Sequence, residues 1–367
     1  MAALQVLRSL FGGEGRPGNY PYACARVRAK KSKLLPRETY AKLLQMGVAE
    51  ITQVVAEGEY RREVDELAAK FKGLELTEAA LNVNEERTYA EIAGFTEGEA
   101  GALTKAFLER FKIHDMKVIL RGKHYGAKPE EIMRELLIED REEFQFYKRL
   151  LAPEVEGIDG VIQALEESGL PGKPYAVALK RVKETVDSPG TQDYEDGLDM
   201  QYYETLLATI HPTTQATKLF LGFVKREVDV KNLLSALRYR KAKSTWEEVE
   251  KVFVQGGAVI DKALARRILE APAEEVEADM KEAPFYEDIA GALGSALRGG
   301  ALNRVAVDAE KHLMHFAQTF SRRNPLSILP IIDYILRKHV EVRNLRALVR
   351  GKEAGLDAER IRDVLVL

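Results

Sequence analysis

Ile113-His-Asp-Met-Lys-Val-Ile-Leu-Arg121 recurs without a gap as Val230-Lys-Asn-Leu-Leu-Ser-Ala-Leu-Arg238 and as Val342-Arg-Asn-Leu-Arg-Ala-Leu-Val-Arg350. Each copy runs from a β-branched residue through a basic residue or histidine, then Asp or Asn, then an apolar residue. An apolar pair precedes the closing arginine, and Lys123, Arg240 or Lys352 follows two positions later. Apolar residues at i, i+3, i+6 and i+7, as in Ile113, Met116, Ile119 and Leu120, make the stripe of a core-facing helix. The motif therefore lies on a helix.

The register continues past the arginine. Ile132, Val249 and Ile361 each stand eleven residues beyond it, and each has an apolar partner one helical turn on: Leu136, Phe253 and Leu365. This spacing predicts a second, short helix, with Pro129 in its first turn in one copy, Thr245 and Glu248 as a capping box in the next, and Asp357 as N-cap in the last. Different caps on one register indicate duplication. Copies separated by about 115 residues are too far apart for a solenoid and suit whole domains. The expected fold class is all-α, with three similar helical domains in tandem at residues 1–140, 141–257 and 258–367.

Outside the motif, 36–55, 60–71, 97–123, 142–150 and 198–208 carry helical periodicity, and no alternating hairpin pattern interrupts them. Glycine, proline and acidic clusters predict loops at 139–142, 168–174, 188–199, 256–257 and 299–300. Residues 1–18, with Gly12, Gly13, Gly15, Pro17 and Gly18, read as a loose leader without the pattern of a secretory signal.

The composition is that of a folded soluble protein rich in amphipathic helices, at 46% hydrophobic and 31% charged residues. Lys plus Arg (55) nearly cancels Asp plus Glu (58), so nothing in the overall charge argues for nucleic acid. The one cysteine, Cys24, cannot form an internal disulfide, which fits a reducing, cytoplasmic setting. The two most apolar stretches, 205–224 and 326–336, are broken by His211, Pro212, Lys218 and Asp333, so no transmembrane segment is expected.

No phosphate-cradling glycine loop, nucleophile elbow or full metal-ligand set is evident, and no catalytic residue, cofactor or metal is assigned. His312 and His315 lie one turn apart without further ligands. The acidic run Asp193-Tyr-Glu-Asp-Gly-Leu-Asp199 is the one place for an enzyme: Glu195, Asp196 and Asp199 approximate the aspartate-rich motif of Mg²⁺-dependent, all-helical isoprenoid enzymes, without a second acidic set. The residues marked out by repetition are Asp115, Asn232 and Asn344 with Arg121, Arg238 and Arg350. Three equivalent positions far apart in the chain do not converge on one small substrate. The expectation for them is fold maintenance: backbone capping by the Asp or Asn, and carboxylate or carbonyl pairing by the arginine.

The closing segment Glu341-Val-Arg-Asn-Leu-Arg346, with Arg350-Gly-Lys352 and Gly355-Leu, resembles the signature of the C-subunit family of the A/V-type ATPase or ATP synthase, the relatives of the d-subunit of eukaryotic V-ATPase. Tyr20 to Leu35 (YPYACARVRAKKSKLL) is similar to that family's opening helix, and Gly197-Leu-Asp199 with Tyr202-Tyr203 and Leu206-Leu207 to its middle block. The resemblance implies a funnel of three helical domains, peripheral on the cytoplasmic face of the cell membrane. Its implied partners are the proteolipid rotor ring on which it sits and the central shaft whose tip it receives. Its implied role is non-catalytic, coupling proton or sodium transport to ATP synthesis or hydrolysis. The alternatives are the Mg²⁺-dependent isoprenoid-type enzyme and a generic helical scaffold. The second copy departs from the others: Tyr239 and Ala242 stand where Gly122 with Gly126 and Gly351 with Gly355 follow the arginine.

Overall fold

The structure is a computed structural model that describes residues 16–138, 141–169 and 172–367. The described residues form helices and connecting turns, with no strand among them. In chain order the helices are α1 (Tyr20–Lys31), α2 (Arg37–Leu43), α3 (Val48–Glu57), α4 (Arg61–Leu67), α5 (Gly73–Phe95), α6 (Gly98–Tyr125), α7 (Pro129–Glu135), α8 (Arg141–Leu150), α9 (Gly157–Glu167) and α10 (Lys173–Thr185). They continue as α11 (Thr191–Thr209), α12 (Gln215–Ala242), α13 (Trp246–Val252), α14 (Lys262–Glu270), α15 (Ala273–Met280), α16 (Tyr286–Leu297), α17 (Asn303–Arg323), α18 (Leu329–Glu353) and α19 (Ala358–Arg362). The all-α expectation holds. No helix among the described residues is long and apolar enough to cross a membrane.

The three motif copies end the three long helices α6, α12 and α18, and α7, α13 and α19 are the short helices expected beyond them. Pro129 opens α7, and Asp357 caps α19 by accepting from Arg360 N at 2.8 Å. At α13 one half of the capping box is made, with Glu248 accepting from Thr245 N at 2.8 Å. The stretch 36–55, periodic throughout, is broken into α2 and α3 at residues 44–47.

The loop expected at 188–199 is corrected. Its acidic run lies inside α11, which starts at Thr191 with Asp193 accepting from Gly190 N at 2.8 Å. Gly197, taken as a loop marker, is a contact residue: a Cβ there would lie 2.3 Å from Val182 Cγ2, so its absence lets α11 lie against α10. The other expected loops at 256–257 and 299–300 are turns. Those at 139–142 and 168–174 fall partly, and the leader at 1–18 mostly, outside the described residues.

The apolar side chains gather in three large cores, and single long helices pass from one to the next. The first holds Leu103, Phe107, Ile119 and Leu120 of α6 together with Leu179, Phe220, Phe223 and the α18 residues Ile331 and Ile335. A second is built from Leu233 and Leu237 of α12 with Ile268, Val276, Ile289 and Leu293. The third takes Leu43, Ile51, Tyr60 and Leu81 from early in the chain and Leu345, Leu348, Ile361 and Leu365 from late in it. So α5 and α18 each serve the first and third cores, and α12 the first and second.

Long-range packing follows a cyclic order: α6 lies on α11, α12 on α17, and α18 back on α5. Polar contacts fasten the return. Cys24 Sγ and Arg28 of α1 donate to the carbonyls of Ser327 and Pro325 at 3.3 and 2.7 Å, and Lys31 pairs with Asp333. Buried Glu341 accepts from Leu35 N and from the Tyr60 hydroxyl, each at 2.6 Å.

Candidate functional site

Each repeated Asp or Asn is buried and reaches the chain 22 residues downstream, just beyond the short helix. Asn232 Nδ2 donates to Val254 O at 2.8 Å while its Oδ1 accepts from Val254 N at 3.0 Å. Asn344 makes the identical pair with Val366, at 2.8 and 3.0 Å. Asp115 has no donor to match. Its carboxylate accepts from Leu137 N at 3.1 Å and from the Tyr147 hydroxyl at 3.1 Å. Burial pushes the Asp115 carboxyl well above the usual carboxylate range, against the opposing pull of the Leu137 N–H. The geometry is one clamp made three times, holding the chain after α7, α13 and α19 to its own long helix.

In the first and third copies the residue just beyond the motif arginine is a glycine that lets the short helix approach closely. A Cβ on Gly122 would lie 2.4 Å from Ile132 side-chain carbons, and one on Gly351 2.7 Å from Ile361 Cγ1. The second copy carries Tyr239 at this position, with the smaller Val249 at the register of Ile132 and Ile361, and the Tyr239 hydroxyl reaches Asp193 of α11 at 3.5 Å.

The arginines reach carboxylates distant in sequence. Arg350 pairs with Glu78 of α5 and, at 2.6 Å, with Glu135 of α7, while Arg121 stands 3.5 Å from Glu195 of α11. One turn earlier Arg346 bonds Asn82, and Lys117 bonds Asp199 at 2.5 Å, so α18 on α5 and α6 on α11 share one ladder of contacts. Leu234 occupies that station in the second copy, and Arg238 turns to Asp196.

The acidic run is thereby enclosed by cations from two sides. Asp196, fully buried, takes Lys231 at 2.9 Å and Arg238 from α12, and accepts from Gln192 at 3.2 Å. Asp199 takes Lys117 from α6 and Lys231 from α12, both at 2.5 Å. Burial disfavours the Asp199 charge, but Lys231 and Lys117 hold its carboxyl below the ordinary range. Lys231 is raised in turn: burial opposes its charge, and Asp199 and Asp196 outweigh burial. Glu195 is pushed up by burial against the pull of Arg121 and Lys117. Among the described residues no group of three or more His, Cys, Asp and Glu is placed to hold a metal ion.

Sequence reasoning missed Asp229, the residue immediately before the second motif. Its carboxylate accepts from the backbone N–H groups of Ala258, Val259 and Ile260 at 2.9–3.2 Å, fixing the turn at Gly256 and Gly257. Its signal lay in that glycine pair. His312 and His315 do not converge: His312 Nδ1 lies 2.6 Å from Asp288, and His315 Nε2 3.4 Å from Thr319.

Comparison with known proteins covers nearly the whole chain. The ATP synthase (C/AC39) subunit family matches residues 23–364. The C-subunit of the A-type ATP synthase of Methanococcoides burtonii is 36% identical over 361 residues, 98% of each chain. That of Methanosarcina acetivorans is 38% identical over 353 residues, 95% of this chain and 93% of the relative. The Archaeoglobus fulgidus protein of the same name is 31% identical over 354 residues, 96% and 98% of the two chains. With its acids held in ion pairs and its repeated polar residues turned to its own backbone, the chain belongs to the C/AC39 family of ATP synthase subunits, as one part of a complex and not an enzyme in its own right.

Proposed function

We propose that this protein is a central-stalk component of an A/V-type ATP synthase, seated on the cytoplasmic mouth of the proteolipid ring and receiving the tip of the central shaft. In that role it turns with both, so that proton or sodium movement through the membrane sector is coupled to ATP synthesis or hydrolysis elsewhere in the complex. It is built of three tandem helical units, with boundaries near residues 140 and 257, set around a funnel-shaped space. Asp115, Asn232, Asn344 and the arginines 121, 238 and 350 keep those units folded and joined.

The observation that carries this reading is the end-to-end similarity to C-subunits of A-type ATP synthases. The long helices shared between cores support it, because torque must pass through a body that deforms little, and close-packed interiors deform little. The test is affinity purification of the tagged full-length chain from detergent-solubilised membranes. Ring and shaft proteins are expected to co-elute, with the chain between them in images of the particle. Recovery of an intact ring–shaft assembly lacking this chain would refute the reading.

A further inference from the structure

Two of three corresponding helix junctions are closed, and one is open. α5 packs against α7 and α11 against α13, whereas α17 and α19 pack less closely and both line a cleft of about 620 Å³ whose third wall is α2. The correspondence follows from the motif register, since α7, α13 and α19 all begin eight residues after the motif arginine. α5, α11 and α17 in turn are the helices on which α18, α6 and α12 lie.

At the closed α5–α7 junction, Glu75 in the first turn of α5 holds Arg134 of α7 at 3.0 Å, and Asn82 Nδ2 donates to the Arg134 carbonyl at 2.6 Å. The residue of the α19 segment at the Arg134 station is Asp363, and in the first turn of α17 stands Arg304. The same pair is thus present with its charges exchanged. Arg304 and Asp363 both line the cleft, and neither takes part in an ion pair among the described residues. Beside them are Val307 and Leu365, the Asp308–Lys311 pair at 4.0 Å, Arg362, and Arg37 and Glu38 of α2.

We propose that this seam has a second, closed state in which Arg304 and Asp363 pair across the cleft as Glu75 and Arg134 do across the α5–α7 junction. α18 joins α17 to α19 just as α6 joins α5 to α7, so closure needs a change of tilt and no broken helix. It covers Val307 and completes the third junction of the cycle. An exposed ion pair is a weak bond that salt screens, so both states are populated and salt favours the open one.

The test uses the full chain with spin labels on Asn303→Cys and Val364→Cys, both exposed positions, leaving the buried Cys24 in place. Electron–electron distance measurements at low salt are expected to give two populations. The shorter should fall several-fold in high salt and in Arg304→Glu, and return when Asp363→Arg is added. A single distance that neither salt nor Arg304→Glu changes overturns the proposal. Because the measurement is made on the isolated chain, its failure leaves the assembly role untouched.

Discussion

An asparagine at the clamp position donates and accepts at once, and an ionised aspartate only accepts, so Asp115 is the weak member of the set once its carboxyl is ionised. Its carboxyl titrates higher in the fold than in the unfolded chain, where it sits near 3.8. A raised carboxyl contributes stability below the unfolded value, and that contribution is lost as pH rises through the folded value. Asp115→Asn should therefore stabilise the protein by about 1 kcal/mol at neutral pH and flatten its stability profile above pH 4, as followed by urea unfolding across pH. No gain at pH 7 would mean the second hydrogen bond does not form. Gly122→Ala should cost about 1–3 kcal/mol by forcing Ile132 aside, and Ile132→Val should restore part of it, as checked by thermal unfolding of the single and double variants. The clamp positions were readable in the sequence because motif, short helix and clamped segment fall within a single stretch of neighbouring residues. The arginines' partners were not, because Glu78 and Glu135 lie 272 and 215 residues from Arg350 and nothing local points to them.

At the scale of helices, α11 is the keystone between α6 and α12, taking cations from both through Asp196 and Asp199. Removing a buried carboxylate strands its cations, so Asp196→Ala should cost about 2 kcal/mol, less than for a fully dry pair because Lys231 and Arg238 keep some water. Equilibrium urea unfolding measures this, and an unchanged midpoint would show that Lys231 and Arg238 find other partners. This helix was also the sequence's main misreading. Gly190, Gly197 and four acids in seven residues look like a solvated loop when the neighbours are unseen. Their meaning is supplied by α10, close enough to need a glycine, and by four cations on two other helices. The bounds of α6 and α8 were legible because apolar spacing and caps are local signals, whereas the break between α2 and α3 was not.

For the whole molecule, the third core is made from both ends of the described chain. A repeat length in the sequence announces three copies but does not say which surfaces meet, so this pairing was invisible before the structure. Deleting residues 358–367 removes Ile361 and Leu365 from that core. Hydrogen exchange should then speed by an order of magnitude or more in α2, α3 and α4, with α14, α15 and α16 little changed. Uniform acceleration throughout would mean that the cores melt as one.

The closure of that core also sets an order on synthesis. Tyr60 and Glu341, bonded in the finished protein, leave the ribosome 281 residues apart. During that interval Leu43, Ile51 and Leu81 have only part of their final cover, because Leu345, Leu348, Ile361 and Leu365 are still untranslated. A nascent chain in this condition is prone to stick to other chains, and a pairing so distant in sequence forms slowly. The first part of the protein to be made is among the last to be completed.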